Sequence, residues 1–108
     1  MSLRKRMGLV LVLVTFPDEE SAKSMVDIVL ERKLAGCILT TSVKSAYFWQ
    51  GEKQNDEEII SLFKTNESNI ADLEKFILAN HPYEIPAMIK LNASANEDYE
   101  HWLSNIMS

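Results

Sequence analysis

Cys37-Ile38-Leu39-Thr40-Thr41-Ser42-Val43-Lys44-Ser45-Ala46-Tyr47-Phe48-Trp49 leads through Gln50-Gly51-Glu52 to a second apolar run within Glu57–Thr65. β-branched and aromatic residues crowd the first arm, and Ile59, Ile60, Leu62 and Phe63 give the second the same character. Gln50-Gly51-Glu52 between them is a turn signal. The pair predicts a hairpin whose arms run about ten residues or more, against a usual strand of about 5–6. Such an arm reaches about 33 Å, whereas a compact domain of this length spans only about 25–30 Å. The hairpin tip is therefore expected to project past its own core and expose its aromatic residues. Projecting strand edges and aromatics invite pairing with another copy, so the hairpin predicts a homo-oligomer.

The flanking segments supply the rest of a sheet and its helices. Met7–Thr15 is apolar at nearly every position and rich in Val, the pattern of a central strand buried on both faces. Pro17 ends it, and Asp18-Glu19-Glu20 suits a helix N-terminus. Ala22, Met25, Val26, Val29, Leu30 and Leu34 then recur at helical spacing, predicting a helix over Glu19–Leu34 that stops at Gly36. Ile70, Leu73, Phe76 and Ile77 predict a second helix over Asn66–Asn80. His81-Pro82-Tyr83-Glu84-Ile85-Pro86 reads as a rigid extended link, because each proline disfavours helix at the residue before it. Ala87–Leu91 is a short strand, and Asn96 is placed to cap a last helix carrying Tyr99, Trp102, Leu103 and Ile106. The order β-α-β-β-α-β-α is an α+β class: a ferredoxin-like βαββαβ sandwich with an antiparallel sheet, a long hairpin between the second and third strands, and a C-terminal helix. Residues 7–108 are expected to form the single domain behind a tail over residues 1–6.

Composition narrows the function. The 108 residues carry 11 basic and 16 acidic side chains, a net charge of −5. Three of the basic residues, Arg4, Lys5 and Arg6, lie in the tail, so the domain itself is near −8. A surface that acidic repels phosphate backbones and anionic membranes and suits cations. Cys37 is the only cysteine, which excludes an internal disulfide, a zinc ribbon and an iron–sulfur cluster from one chain. It fits a reducing compartment, and Met7–Thr15 is too short for a membrane span of about 20 residues. Phe16-Pro17-Asp18-Glu19-Glu20 follows that run in place of a small-residue cleavage pattern, so the chain is expected to be cytoplasmic.

The fold order hosts many activities, so function has to come from sites. An RNA-recognition domain needs an aromatic motif in basic surroundings, and Glu57–Phe63 is acidic. A small-phosphate hydrolase needs an anion cradle, yet the arginines are confined to Arg4, Arg6 and Arg32. A Cys37–His81 catalytic dyad would require the two to meet in space, and no triad is legible at a defined spacing. No enzyme is expected.

Six segments in order are similar to the CutA family of divalent-cation tolerance proteins. They are Thr15-x-Pro17, Arg32-Lys33-Leu34-Ala35-Gly36-Cys37, Ser45-Ala46-Tyr47-Phe48-Trp49-Gln50-Gly51, Lys64-Thr65, His81–Pro86 and Tyr99-x-x-Trp102. The resemblance implies a ferredoxin-like homotrimer, similar in architecture to PII signalling proteins, whose hairpins pair between subunits. It also implies divalent metal binding and tolerance, copper foremost. One departure stands out: where the family pattern continues the His81–Pro86 motif with a Glu, this chain has Ala87.

His81, between a helix end and Pro82, fits either a metal ligand or a helix C-terminal cap. Cys37 fits a soft-metal ligand or a small buried hydrophobe. The expected metal set is His81 with help from Cys37 or Glu84. His101, beside Glu97 and Glu100, reads as surface. Asp56-Glu57-Glu58 reads as a solvated edge, because Glu57 points opposite to its neighbours in a strand. Ser45, Tyr47, Trp49, Lys64 and Tyr83 are the candidates for a pocket between subunits, which is the alternative reading: a PII-like module binding a small metabolite or protein at its subunit clefts.

Overall fold

The computed structural model describes residues 8–108. The expected tail over residues 1–6 lies outside that range. The first strand, β1 (Leu9–Phe16), alternates cleanly: Val10, Val12, Val14 and Phe16 are buried, whereas Leu11, Leu13 and Thr15 are half-buried on the opposite face. β1 is central, between β3 (Glu52–Asn66) and β4 (Met88–Ala93), with β2 (Cys37–Trp49) outside β3. All three pairings are antiparallel. The sheet order β2-β3-β1-β4 and the interleaved helices α1 (Glu19–Glu31), α2 (Ile70–Asn80) and α3 (Glu97–Met107) are the expected ferredoxin-like sandwich with an added helix.

Strand alternation sends one set of side chains toward α1 and α2. Val10, Val12, Val14 and Phe16 meet Ile59 and Phe63 of β3 and Ala22, Met25, Val29, Leu73 and Ile77 of the helices in one core. Among the described residues, Leu103 and Met107 of α3 close over Leu9 at one end of the opposite face. Beyond that end Leu39, Ile89 and Leu91 stay half exposed, at 53, 50 and 49%. β1 is thus buried on one face by its own chain, and its second face lies within a broad open apolar surface.

The hairpin carries the molecule to 50 Å along one axis against 26 and 21 Å on the others. Gln50 and Gly51 both have positive φ, 51° and 80°, as a two-residue type I′ turn requires. That turn sets the register Trp49↔Glu52 and pairs every residue of β2 down to Cys37↔Lys64. Phe48 and Trp49 at the tip are 76 and 61% exposed, which agrees with the projection argument.

Element ends differ from the sequence reading for local reasons. β3 begins at Glu52 rather than Glu57, because Glu52–Asp56 are held extended by pairing and not by their own pattern. α2 begins at Ile70 rather than Asn66, whose side-chain Oδ1 accepts from the Asn69 N–H at 3.0 Å and closes a separate turn. Asp18 caps α1 by accepting from the Ser21 N–H at 2.8 Å, and that bond holds its carboxyl below the usual range. Asn96 occupies the N-cap of α3 without a capping bond; the Glu100 carboxylate accepts from the Ala95 N–H at 2.7 Å instead.

α1 ends at Glu31, not Leu34. Leu34 N–H donates to Val29 C=O and Lys33 N–H to Leu30 C=O, the pair of bonds of a Schellman motif. The left-handed residue is Lys33, with φ of 57°. Gly36 is not the stop: a Cβ there would lie 2.5 Å from Leu103 Cδ1, so its small size lets α3 close onto the sheet. Because left-handed backbone costs a side-chain-bearing residue roughly 1 kcal/mol, Lys33→Gly is expected to stabilise the protein by about 0.5–1 kcal/mol. A rise in the denaturation midpoint measures it, and a fall would contradict this account of the helix end.

Candidate functional site

The segment after α2 folds back across the end of β1, and His81 fixes it there. Its ring Nε2 lies 2.7 Å from Thr15 C=O, and its Nδ1 accepts the Tyr83 N–H at 3.0 Å. A neutral imidazole donates through one nitrogen and accepts through the other, so these contacts put the proton on Nε2. The ring stacks on Phe16 at 4.8 Å and tilts against Tyr83 at 5.0 Å. Both nitrogens are therefore occupied by backbone, which makes His81 an anchor for the link.

The anchor aims Tyr83 at the hairpin. Its hydroxyl donates to Glu58 Oε1 at 2.8 Å, and on the hairpin the Tyr47 hydroxyl donates to the Asp56 carboxylate. Burial first, then the bond to Glu58, pushes the Tyr83 phenol far above its ordinary value. The bond to Asp56 is the main cause of the upward shift at Tyr47. Both phenols thus stay protonated donors to carboxylates.

Between these groups lies a cleft of about 670 Å³. Tyr47, Trp49 and Tyr83 give it aromatic walls, and Asp56, Glu58 and Glu84 give it three carboxylates. Thr15, Gln54, Ile85 and Ala87 complete the described lining, which includes no Lys, Arg or His. Ala87, where the family pattern expects a Glu, faces this same cleft. Its volume lies within the range of about 300–1,000 Å³ typical of small-ligand sites.

The structure brings four of the expected residues together here: Tyr47, Trp49, Tyr83 and Glu84. Ser45 pairs with Asp56 but lines an adjacent hollow with Lys44 and Glu57, and its buried Oγ has no hydrogen-bond partner. Lys64 stands elsewhere. It pairs with Cys37 and Leu11, and its Nζ donates to Tyr99 Oη at 3.1 Å. That bond is the main cause raising its pKa. Leu11 is four residues along β1 from the Thr15 that holds His81, about 13 Å. The expected set of His81, Cys37 and Glu84 is therefore not assembled, and Lys64 does not serve the cleft. Among the described residues, no three His, Cys, Asp or Glu side chains converge on one metal position. His101 is exposed, as expected.

Asp56 and Glu58 were legible only as a charged edge. Their signal is alternation: with Gln54 they occupy every second residue of β3, on the face that Glu57 leaves. What turns that edge into a site is Tyr83 arriving from 25 residues away.

The comparisons with known proteins converge on one family. Residues 10–106 match the family described as CutA1 divalent ion tolerance protein. The divalent-cation tolerance protein CutA of Pyrococcus horikoshii is 35% identical over 88% of this chain and 94% of its own length. The chloroplastic protein CutA of Arabidopsis thaliana is 34% identical over 89% of this chain, which spans about half, 54%, of that longer protein. The crystal structure of the divalent ion tolerance protein CutA1 from Ehrlichia chaffeensis superposes with a TM-score of 0.89 at 30% identity, covering 93% of this chain and 95% of its own. On the family match, the identities and the shared fold, the chain belongs to the CutA1 divalent ion tolerance family.

Proposed function

We propose that the protein is a cytoplasmic homotrimer that binds divalent cations, copper first, and acts in metal tolerance by sequestration or sensing without catalysing a reaction. The observation that carries the cation reading is the cleft with three carboxylates and no cationic side chain in its described lining. Oxygen donors of that kind hold divalent ions, and for a given N/O donor set Cu²⁺ binds more tightly than other first-row divalent ions. Because three ligands do not converge among the described residues, the reading assigns the missing donors to a neighbouring subunit or to water. The open apolar sheet face and the 13-residue edge strand β2 support assembly. His81, held by two backbone groups and not by a nucleophile, supports a binding role over a catalytic one.

Calorimetric titration of Cu²⁺ and Zn²⁺ into the full chain at pH 7 tests this. Saturable binding is expected, weakened about tenfold or more in Glu84→Gln and in Glu58→Gln, and strengthened in Ala87→Glu. No binding below about 0.1 mM would sink the reading. The PII-like alternative, a small metabolite at the same clefts, is favoured by one further observation: the cleft has three aromatic walls, more than an inorganic ion uses.

A further inference from the structure

We propose that the Tyr47–Trp49–Tyr83 cleft binds a linear aliphatic polyamine, with its ammonium groups on the β3 acceptor row and its methylene segments on the aromatic walls. The inference rests on the small-metabolite reading of the cleft and does not require a bound metal. Its first support is shape. Gln54, Asp56 and Glu58 share one face of β3 at intervals of about 6.6 Å, so their acceptors form a line rather than a point. An inorganic cation needs oxygens converging to about 2.0–2.6 Å, and no such group forms among the described residues. A ligand whose positive donors are strung along a chain matches a row of acceptors.

The second support is the paired chemistry of the walls. Trp49 and Tyr47 remain 61 and 43% exposed in the chain, so their faces are open to a ligand. Aromatic faces attract ammonium groups and cover the alkyl spacers between them. The Tyr47 and Tyr83 hydroxyls each hold one carboxylate in place, at Asp56 and Glu58. Each carboxylate has about four acceptor positions, so the phenols orient the acceptors without consuming them. Glu84 adds a third negative charge from the other side of the cleft. Several charges in one cleft favour a multiply charged amine over a single ammonium, and repel phosphorylated metabolites.

Spermidine, putrescine and n-butylamine are titrated calorimetrically into the full chain in EDTA, and Cu²⁺ is titrated separately without chelator. Spermidine is expected to bind saturably and at least about tenfold tighter than n-butylamine. Trp49→Ala is expected to weaken spermidine about tenfold while leaving Cu²⁺ binding unchanged. Asp56→Asn and Glu58→Gln weaken it similarly. The double variant Glu97→Gln, Asp98→Asn, which removes twice the charge of either single variant from the exposed start of α3, leaves it unchanged. Equal losses in that control would reduce the effect to general surface charge and overturn the proposal. Spermidine failing where Cu²⁺ binds overturns it while the cation cleft stands; failure of both removes the cleft as a ligand site. Circular dichroism confirms that each variant is folded.

Discussion

Leu39→Asp combined with Leu91→Asp is expected to convert the proposed homotrimer into a folded monomer. Both residues lie on the sheet face away from α1 and α2, Leu39 opposite Leu62 and Leu91 opposite Leu11. Both are about half exposed in the single chain, so a charge there meets water and the main core behind the sheet is untouched. In a trimer that buries this face the same two positions occur three times. Each Leu contributes about 1.5–3 kcal/mol when fully buried, and each buried unpaired carboxylate costs several kcal/mol more. Both leucines are already about half-buried in the single chain, so roughly half of that apolar gain is at stake at each, and the carboxylate cost at six positions supplies most of the opposition to assembly. Sedimentation equilibrium checks it: the wild-type mass is that of three chains and the variant's that of one, with far-UV circular dichroism unchanged. A wild-type monomer, or a double variant that keeps its mass, would remove this face as the subunit interface.

The hairpin was readable because its length is written in residue types. A 13-residue arm rich in β-branched and aromatic residues, a Gln-Gly turn and a second apolar run cannot fold inside a domain this small. The first five residues of β3 were not readable, because Glu52–Asp56 have no strand pattern and take extended form only opposite Ser45–Trp49. Lys33 is a similar case: nothing in its residue type announces positive φ, which follows from ending α1 where β2 must begin. At the site, the aromatic residues and Glu84 were found through their motifs. Asp56 and Glu58 were passed over because a charge run is ordinarily solvated, and only the return of Tyr83 makes them lining. Lys64 is a site candidate through its family segment and Cys37 through its thiol, whereas pairing places them together at the α3 end of the sheet.

His81→Ala is the second large effect, and it separates an anchor from a ligand. The histidine, 66 residues from Thr15 along the chain, joins it to Tyr83 by two hydrogen bonds to backbone. Removing the ring leaves one carbonyl and one N–H without these partners; a buried orphan group costs about 1–3 kcal/mol, and half-burial lets water recover part of that. The lost stacking on Phe16 adds about 0.5–1.5 kcal/mol, so the expected destabilisation is about 2–3 kcal/mol. In a domain of this length each kcal/mol lowers the thermal midpoint by about 4–8 °C, read at fixed protein concentration because the proposed assembly would contribute to stability. Copper affinity of the folded fraction, measured below the new midpoint, is expected to fall less than in Glu84→Gln, because the carboxylates remain while the link that carries Glu84 loosens. Glu84→Gln gives the opposite pattern: a midpoint close to wild type and weakened copper binding. Should His81→Ala abolish copper binding while the midpoint holds, the imidazole would be a ligand, and its bonds to Thr15 and Tyr83 would have to open to admit the ion.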